Sequence, residues 1–334
     1  NRHNISLTSL SNIINKFSNL RVCVIGDLII DEYITCQPLG MSQEEPTIVV
    51  TPIDTTRFIG GAGIVASHAS GLGANVDFIS VAGNDYSRTF ALETLTDTGV
   101  QHHLFCDESR PTTLKKRYRC GGKSMLRVSY LHQDPISVVL QDQIFSKIEG
   151  IIKNCDLIVF SDFNYGVLPQ SLVDRIINLA SLRGVMIVAD SQSSSQVGDI
   201  SRFKGTHLIT PTEREARISI RNYESGIVLL AEQLRQEAQA KNILLKLGEE
   251  GLLIHAEDES NSNWLTDRIP ALNVSPKDVA GAGDSLLITS AMALACGADI
   301  WEAACLGSLA AAVQVSRVGN TPLQAKELLD ELIR

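Results

Sequence analysis

The sequence predicts an α/β fold: a doubly wound, mostly parallel sheet flanked by helices, with a small β-strand lid. Three observations carry this expectation. Short apolar runs alternate with longer segments of helical spacing. The runs are nearly continuous, as in strands buried on both faces of a parallel layer. Two further segments break the rhythm with the shorter period of exposed strands. At 334 residues, 44% of them hydrophobic, the chain can bury one large core, and a single domain over residues 1–334 is expected.

In chain order the predicted strands are "RVCVIG" (21–26), "VDFISVAG" (76–83), "DLIVFSD" (156–162), "VMIVAD" (185–190), "HLITP" (207–211) and "NILLKLG" (242–248). Between them, "SRTFALETLTDTG", "PQSLVDRIINLASLRG", "EREARISI" and "SGIVLLAEQLRQEAQAK" have helical spacing, and several end in Gly or Lys, as helix C-termini do. Repeated βα units place ligands at the carboxyl ends of the strands. "EEPTIVVTPI" (44–53) and "TTLKKRYRCGGKSMLRVSYL" (112–131) form the expected lid, over about residues 33–58 and 105–131. Gly121-Gly122 between two strand-like arms is a hairpin signal. The lid cations have two readings: a solvated edge that resists aggregation, or a cover facing an anionic substrate.

Composition narrows the function. A net charge of −9 argues against nucleic acid or an anionic membrane as the main partner. Seven scattered cysteines without CxxC spacing point to reduced thiols and a cytoplasmic protein. No run of 18 apolar residues occurs, and "NRHNISLTSLSNIINKF" lacks the apolar block of a signal peptide. Neither a metal pattern among the seven histidines nor a G-x-S-x-G elbow is present, and "GGAGIVA" falls short of a dinucleotide fingerprint.

One stretch stands apart. "DVAGAGDS" (278–285) sets two glycines and two carboxylates ahead of the apolar helix "LLITSAMALACG". Bare backbone at a helix start makes an anion site from free N–H groups and the helix dipole. Asp284 inside that turn fits two readings. It is a helix-start residue suited to the dipole, or a base that takes a hydroxyl proton while the amides stabilise a transferring phosphoryl group.

The stretch resembles the D-T-x-G-A-G-D signature of the ribokinase-like, or PfkB-type, carbohydrate kinases. "GDLIIDEY", "FIGGAGIVASHASGLGANVDFISVAGND", "TPTEREA" and "KLGEEG" resemble further motifs of that family, in family order from about residue 20 to 322. The resemblance implies an ATP-dependent sugar kinase using Mg²⁺, with a monovalent cation such as K⁺ in many members. It makes Asp284 the catalytic base and gives Gly281, Ala282 and Gly283 the anion-binding amides. Asp31, Gly60, Gly61, Ile64, Lys115, Arg117 and Asp162 fall to the sugar side. Thr212, Glu215, Lys246, Gly248, Gly251 and Ser308 fall to the nucleotide side, with Glu215 and Asp278 near metal ions. By residue pattern alone, Gly248 and Gly251 read as an ordinary turn between two strands.

Within the family, "MSQEEPTIVV", "PTTLKKRYRCGGKSMLRVS", "LIVFSDFNYGVL" and "RVGNT" resemble the bacterial heptose kinases, which phosphorylate D-glycero-D-manno-heptose 7-phosphate at O1 and are often fused to a nucleotidyltransferase domain. That resemblance implies a sugar-phosphate acceptor and a homodimer paired through the lid. Several positions depart from the pattern. Ile64 stands where an asparagine usually reaches the sugar, and isoleucine can form no hydrogen bond. Thr212 replaces an Asn, Ser191-Gln192 a Pro-Lys pair, Tyr165 a Lys and Ser129 an acidic residue. The alternatives are therefore a kinase of another sugar, sugar acid or nucleoside, and a non-catalytic binding protein on the same scaffold.

Overall fold

The computed structural model describes residues 3–193, 197–257, 264–273 and 275–333. Its strands are β1 (Arg21–Gly26), β2 (Leu28–Met41), β3 (Ile48–Gly61), β4 (Asn75–Ala82), β5 (Gln101–Cys106), β6 (Thr113–Cys120), β7 (Lys123–Tyr130), β8 (Leu157–Asp162), β9 (Met186–Ser191), β10 (Leu208–Ile209), β11 (Asn242–Lys246), β12 (Leu252–Glu257) and β13 (Trp264–Ile269). The helices are α1 (Leu7–Lys16), α2 (Ala62–Gly71), α3 (Tyr86–Asp97), α4 (Val138–Ile151), α5 (Gln170–Arg183), α6 (Glu213–Ile220), α7 (Ile227–Ala238), α8 (Ala282–Ala295), α9 (Ile300–Val315) and α10 (Ala325–Ile333).

Nine strands form one sheet in the order β13-β12-β11-β10-β9-β8-β1-β4-β5. From β11 to β5 every pairing is parallel, and β12 and β13 add antiparallel pairs at one edge. β1 shows why continuous apolar runs form such a layer. Val22 and Val24 join a core with α2, α8 and α9, whereas Cys23 and Ile25 face a second core with α4, α5 and α7. Pairing β1 with β8 on one side and β4 on the other makes a topological switch point, where a crevice opens at the strand carboxyl ends.

β10 is shorter than its apolar run predicts. Pro211 has no N–H to extend the ladder, and the strand stops at Ile209.

The second sheet, β3-β2-β6-β7, has the antiparallel β6–β7 hairpin predicted at the glycine pair. Gly121 and Gly122 both have positive φ, 55 and 80, as a tight two-residue turn requires. Its bounds differ from the expected ones. The sheet begins at Leu28, because β2 and β3 pair along their whole length, and Phe105 and Cys106, at the start of the expected second segment, belong to the main sheet, where β5 pairs with β4.

Candidate active site

The site forms where α8 meets the carboxyl ends of the central strands. No side chain caps α8, and its N-cap Gly281 is left-handed (φ 78). The first-turn N–H groups of Gly283 and Asp284 therefore stay open, at the positive end of the helix dipole. Asp284 is only 6% exposed. Burial, followed by the charge of Asp190, pushes its carboxyl up to about 7 against the pull of Lys246. Gln192 Nε2 donates to Asp284 Oδ1 at 3.0 Å.

Lys246 closes β11 with Nζ 3.1 Å from both oxygens of Asp190, at the end of β9. A methyl on Gly283 would lie 3.2 Å from that ammonium, so bare backbone lets Lys246 approach the helix start. Burial lifts Asp190 to about 6 despite Lys246. Burial alone would lower Lys246, but Asp190 and Glu215 outweigh it and hold the ammonium above its ordinary value.

Thr212 and Glu215 form a capping box on α6. Glu215 Oε2 accepts from the Thr212 amide at 2.8 Å and Oε1 from the Ser193 amide at 2.9 Å. Burial opposes its ionisation, yet Lys246 and these amides keep it below the ordinary carboxylate range. Beside the box lies a cleft of about 430 Å³ lined by Thr212, Arg214, Arg217, Tyr223, Lys246 and Gly248. Gly248 (φ 62) and Gly251 (φ 94) shape the β11–β12 turn. Ser308 is buried on α9 with its hydroxyl unpartnered.

Asp31 and the lid occupy the other side. Asp31 on β2 is buried, with Arg117 of β6 at 3.4 Å from Oδ1. Burial raises its carboxyl, while Arg117 and Lys115 pull the other way. Lys115 is also buried, with Nζ 5.3 Å from the Phe163 ring centroid and 5.1 Å from that of Tyr165. No carboxylate lies within ion-pair distance of Lys115 among the described residues, although its charge reaches both Asp31 and Asp284. Gly60 and Gly61 end β3, and a methyl on Gly60 would stand 2.5 Å from Asp31 Oδ2.

The neighbours of four further expected site residues are as follows. Ile64, on α2, is buried in the apolar core. Asp162 is held by protein groups: its oxygens accept from the Asn164 amide (3.0 Å), Ser191 Oγ (2.8 Å) and Arg202 Nη2 (2.8 Å). Asp278 accepts hydrogen bonds from its own loop and from two neighbouring segments. Oδ1 takes the Ala280 amide at 3.1 Å, and Oδ2 takes Tyr33 OH at 3.3 Å and the Gly319 amide at 3.2 Å. Glu215 is likewise engaged by backbone, and among the described residues no group of three acidic, His or Cys side chains is placed to hold a metal ion.

Asp190 joins the site without a motif role, as do Gln192, met in the sequence only as a departure from a Pro-Lys pair, and Phe163, inside the segment "LIVFSDFNYGVL". For Asp190 the local signal is its place at the end of an apolar strand, and for Gln192 its place just beyond it.

Comparison with known proteins places the arrangement. A family profile described as "pfkB family carbohydrate kinase" matches residues 19–326. "Bifunctional protein HldE" of Desulfatibacillum aliphaticivorans is 32% identical over 324 residues, covering 96% of this chain. The chain spans 64% of that relative's length. Among solved structures, Arabidopsis thaliana ribokinase complexed with ribose and ATP superposes with a TM-score of 0.72 at 17% identity, covering 94% of this chain and 98% of that one. Phosphofructokinase-2 from Escherichia coli in complex with substrates and products gives 0.75 at 15% identity, with the same shares covered.

Proposed function

This chain belongs to the pfkB family of carbohydrate kinases, and we propose that it transfers the γ-phosphoryl group of ATP to a hydroxyl of a sugar phosphate. The leading acceptor is O1 of a heptose 7-phosphate. One observation carries the reading: a buried carboxylate, Asp284, sits in the open first turn of α8, between Lys246 on one side and Asp31 with the basic lid on the other.

Asp284 takes the proton of the acceptor hydroxyl as that oxygen forms its bond to γ-phosphorus. The bond from γ-phosphorus to the β-bridging oxygen breaks, and ADP leaves with that electron pair. The amides of Gly283 and Asp284 and the ammonium of Lys246 stabilise negative charge on the migrating group. The nucleotide occupies the cleft beside Thr212 and Gly248. Mg²⁺ neutralises phosphate charge when bound. Glu215, its oxygens each holding one backbone N–H, suits a contact through water, since Mg²⁺ sheds water reluctantly. Closure of the four-stranded lid excludes water from the reacting centre.

Lys115 favours an anionic acceptor, because a buried ammonium beside two rings and, among the described residues, without a carboxylate partner is suited to a phosphate. The outer lid exposes Leu39, Met41, Ile48 and Ile53, which supports pairing of two copies through this sheet. Sedimentation of the free chain tests that: a monomer at micromolar concentration refutes the dimer.

The deciding experiment is an ATP-consumption screen over phosphorylated and unphosphorylated sugars, heptose 7-phosphate included. Turnover of sugar phosphates is expected. Turnover of a plain sugar and of no sugar phosphate refutes the acceptor class, and turnover of none refutes the kinase.

A further inference from the structure

Resting on the sugar-kinase reading, we propose that Asn320 is a specificity-determining residue whose side-chain carboxamide holds a hydroxyl of the acceptor. Asn320 follows Gly319 (φ 75), beyond the end of α9. It is 9% exposed, yet its Oδ1 is buried with no hydrogen-bond partner. Buried carbonyls are normally satisfied, and one that is not asks what it awaits.

Two glycines locate the group. A methyl on Gly281 would stand 2.5 Å from Asn320 Oδ1, and one on Gly60 would lie 3.4 Å from Asn320 Nδ2 and 2.5 Å from Asp31 Oδ2. The carboxamide therefore bridges the two halves of the site, its carbonyl toward the turn that opens α8 and its amide toward Asp31. Gln314, whose amide nitrogen would lie 3.3 Å from the same Gly281 methyl, does not serve it. Gln314 Nε2 already donates to Gly319 O at 3.0 Å and Ala280 O at 3.4 Å. Neither does α2, which presents the buried Ile64 just beyond Gly60 and Gly61. A carboxamide carries an acceptor and a donor side by side. The matching ligand is a polyol with hydroxyls on adjacent carbons, one donating to Oδ1 and its neighbour accepting from Nδ2.

The test is steady-state kinetics of the wild type, Asn320→Ala and Asn320→Leu. Acceptors are heptose 7-phosphate, a hexose 6-phosphate, their ring-deoxy analogues and unphosphorylated sugars. The acceptor KM should rise about tenfold or more in both variants, with the KM for ATP unchanged. The analogue lacking the hydroxyl held by Asn320 should suffer in the wild type and show no further penalty in the variants. An unchanged acceptor KM, or an equal penalty in all three proteins, overturns the inference and leaves the kinase standing. Failure of both variants to fold, read from melting and near-UV circular dichroism, also overturns it, by making Asn320 a packing residue. A wild type inactive on every sugar removes the kinase reading and this inference with it.

Discussion

Gln192 and Asp284, 92 residues apart, meet through a 3.0 Å hydrogen bond that ties the loop after β9 to the first turn of α8. The amide of Gln192 occupies Oδ1, which leaves Oδ2 as the oxygen to face an acceptor hydroxyl. Replacing Gln192 by Leu should lower kcat about tenfold with little change in melting temperature. Gln192→Lys should move the pH midpoint of kcat/KM down by about one to three units, because an adjacent cation favours the ionised carboxylate. A pH profile identical in all three proteins would remove the positioning role.

The raised carboxyl of Asp284 makes two effects run in opposite directions. As a base it acts ionised, so kcat/KM should climb as pH rises through about 7, losing about tenfold per unit below it. For stability, the folded protein holds this proton well above the ordinary carboxylate value, so the stability it gives is present at low pH and lost between about 4 and 7. Asp284→Asn should therefore cut kcat about 10²–10⁴-fold. The same variant should melt higher than the wild type at pH 8, with the difference vanishing at pH 4.5. Calorimetry at the two pH values checks the sign.

Lys115→Met keeps an apolar stem of similar length near Phe163 and Tyr165 and deletes the charge. Charge-assisted hydrogen bonds contribute about 1.5–3 kcal/mol, so kcat/KM for a phosphorylated acceptor should fall about ten- to a hundredfold. The same sugar without its phosphate should be used equally by both proteins. Equal losses on both sugars would make Lys115 a packing residue.

Asp27 underlies that aromatic pair. Fully buried, it accepts from the amides of Phe163 (2.7 Å), Tyr165 (3.3 Å) and Val167 (3.3 Å). Burial and then the Asp162 charge push it up to about 6. Asp27→Ala strands three amide donors and should cost about 3 kcal/mol or more of stability. Urea denaturation measures the loss; a change below 1 kcal/mol would mean that water replaces the carboxylate.

What the sequence determined alone was whatever depends on neighbours along the chain. Strands with Val22 and Val24 on one face and Cys23 and Ile25 on the other could only lie inside a layer. Two adjacent glycines dictated the hairpin, and the bare turn at Gly281 an open helix start. Tertiary structure decided which side chains these elements share. Position 64 reads as a sugar contact by motif, but helix packing turned Ile64 inward. Asp162 lies in a motif segment, and folding brings Arg202, 40 residues on, to 2.8 Å from it. The ties Lys246 to Asp190, Gln192 to Asp284 and Asn320 against Gly60 and Gly281 join residues far apart in the chain. Local pattern encodes backbone geometry. The charge and hydrogen-bond state of a buried group depends on what folding brings beside it.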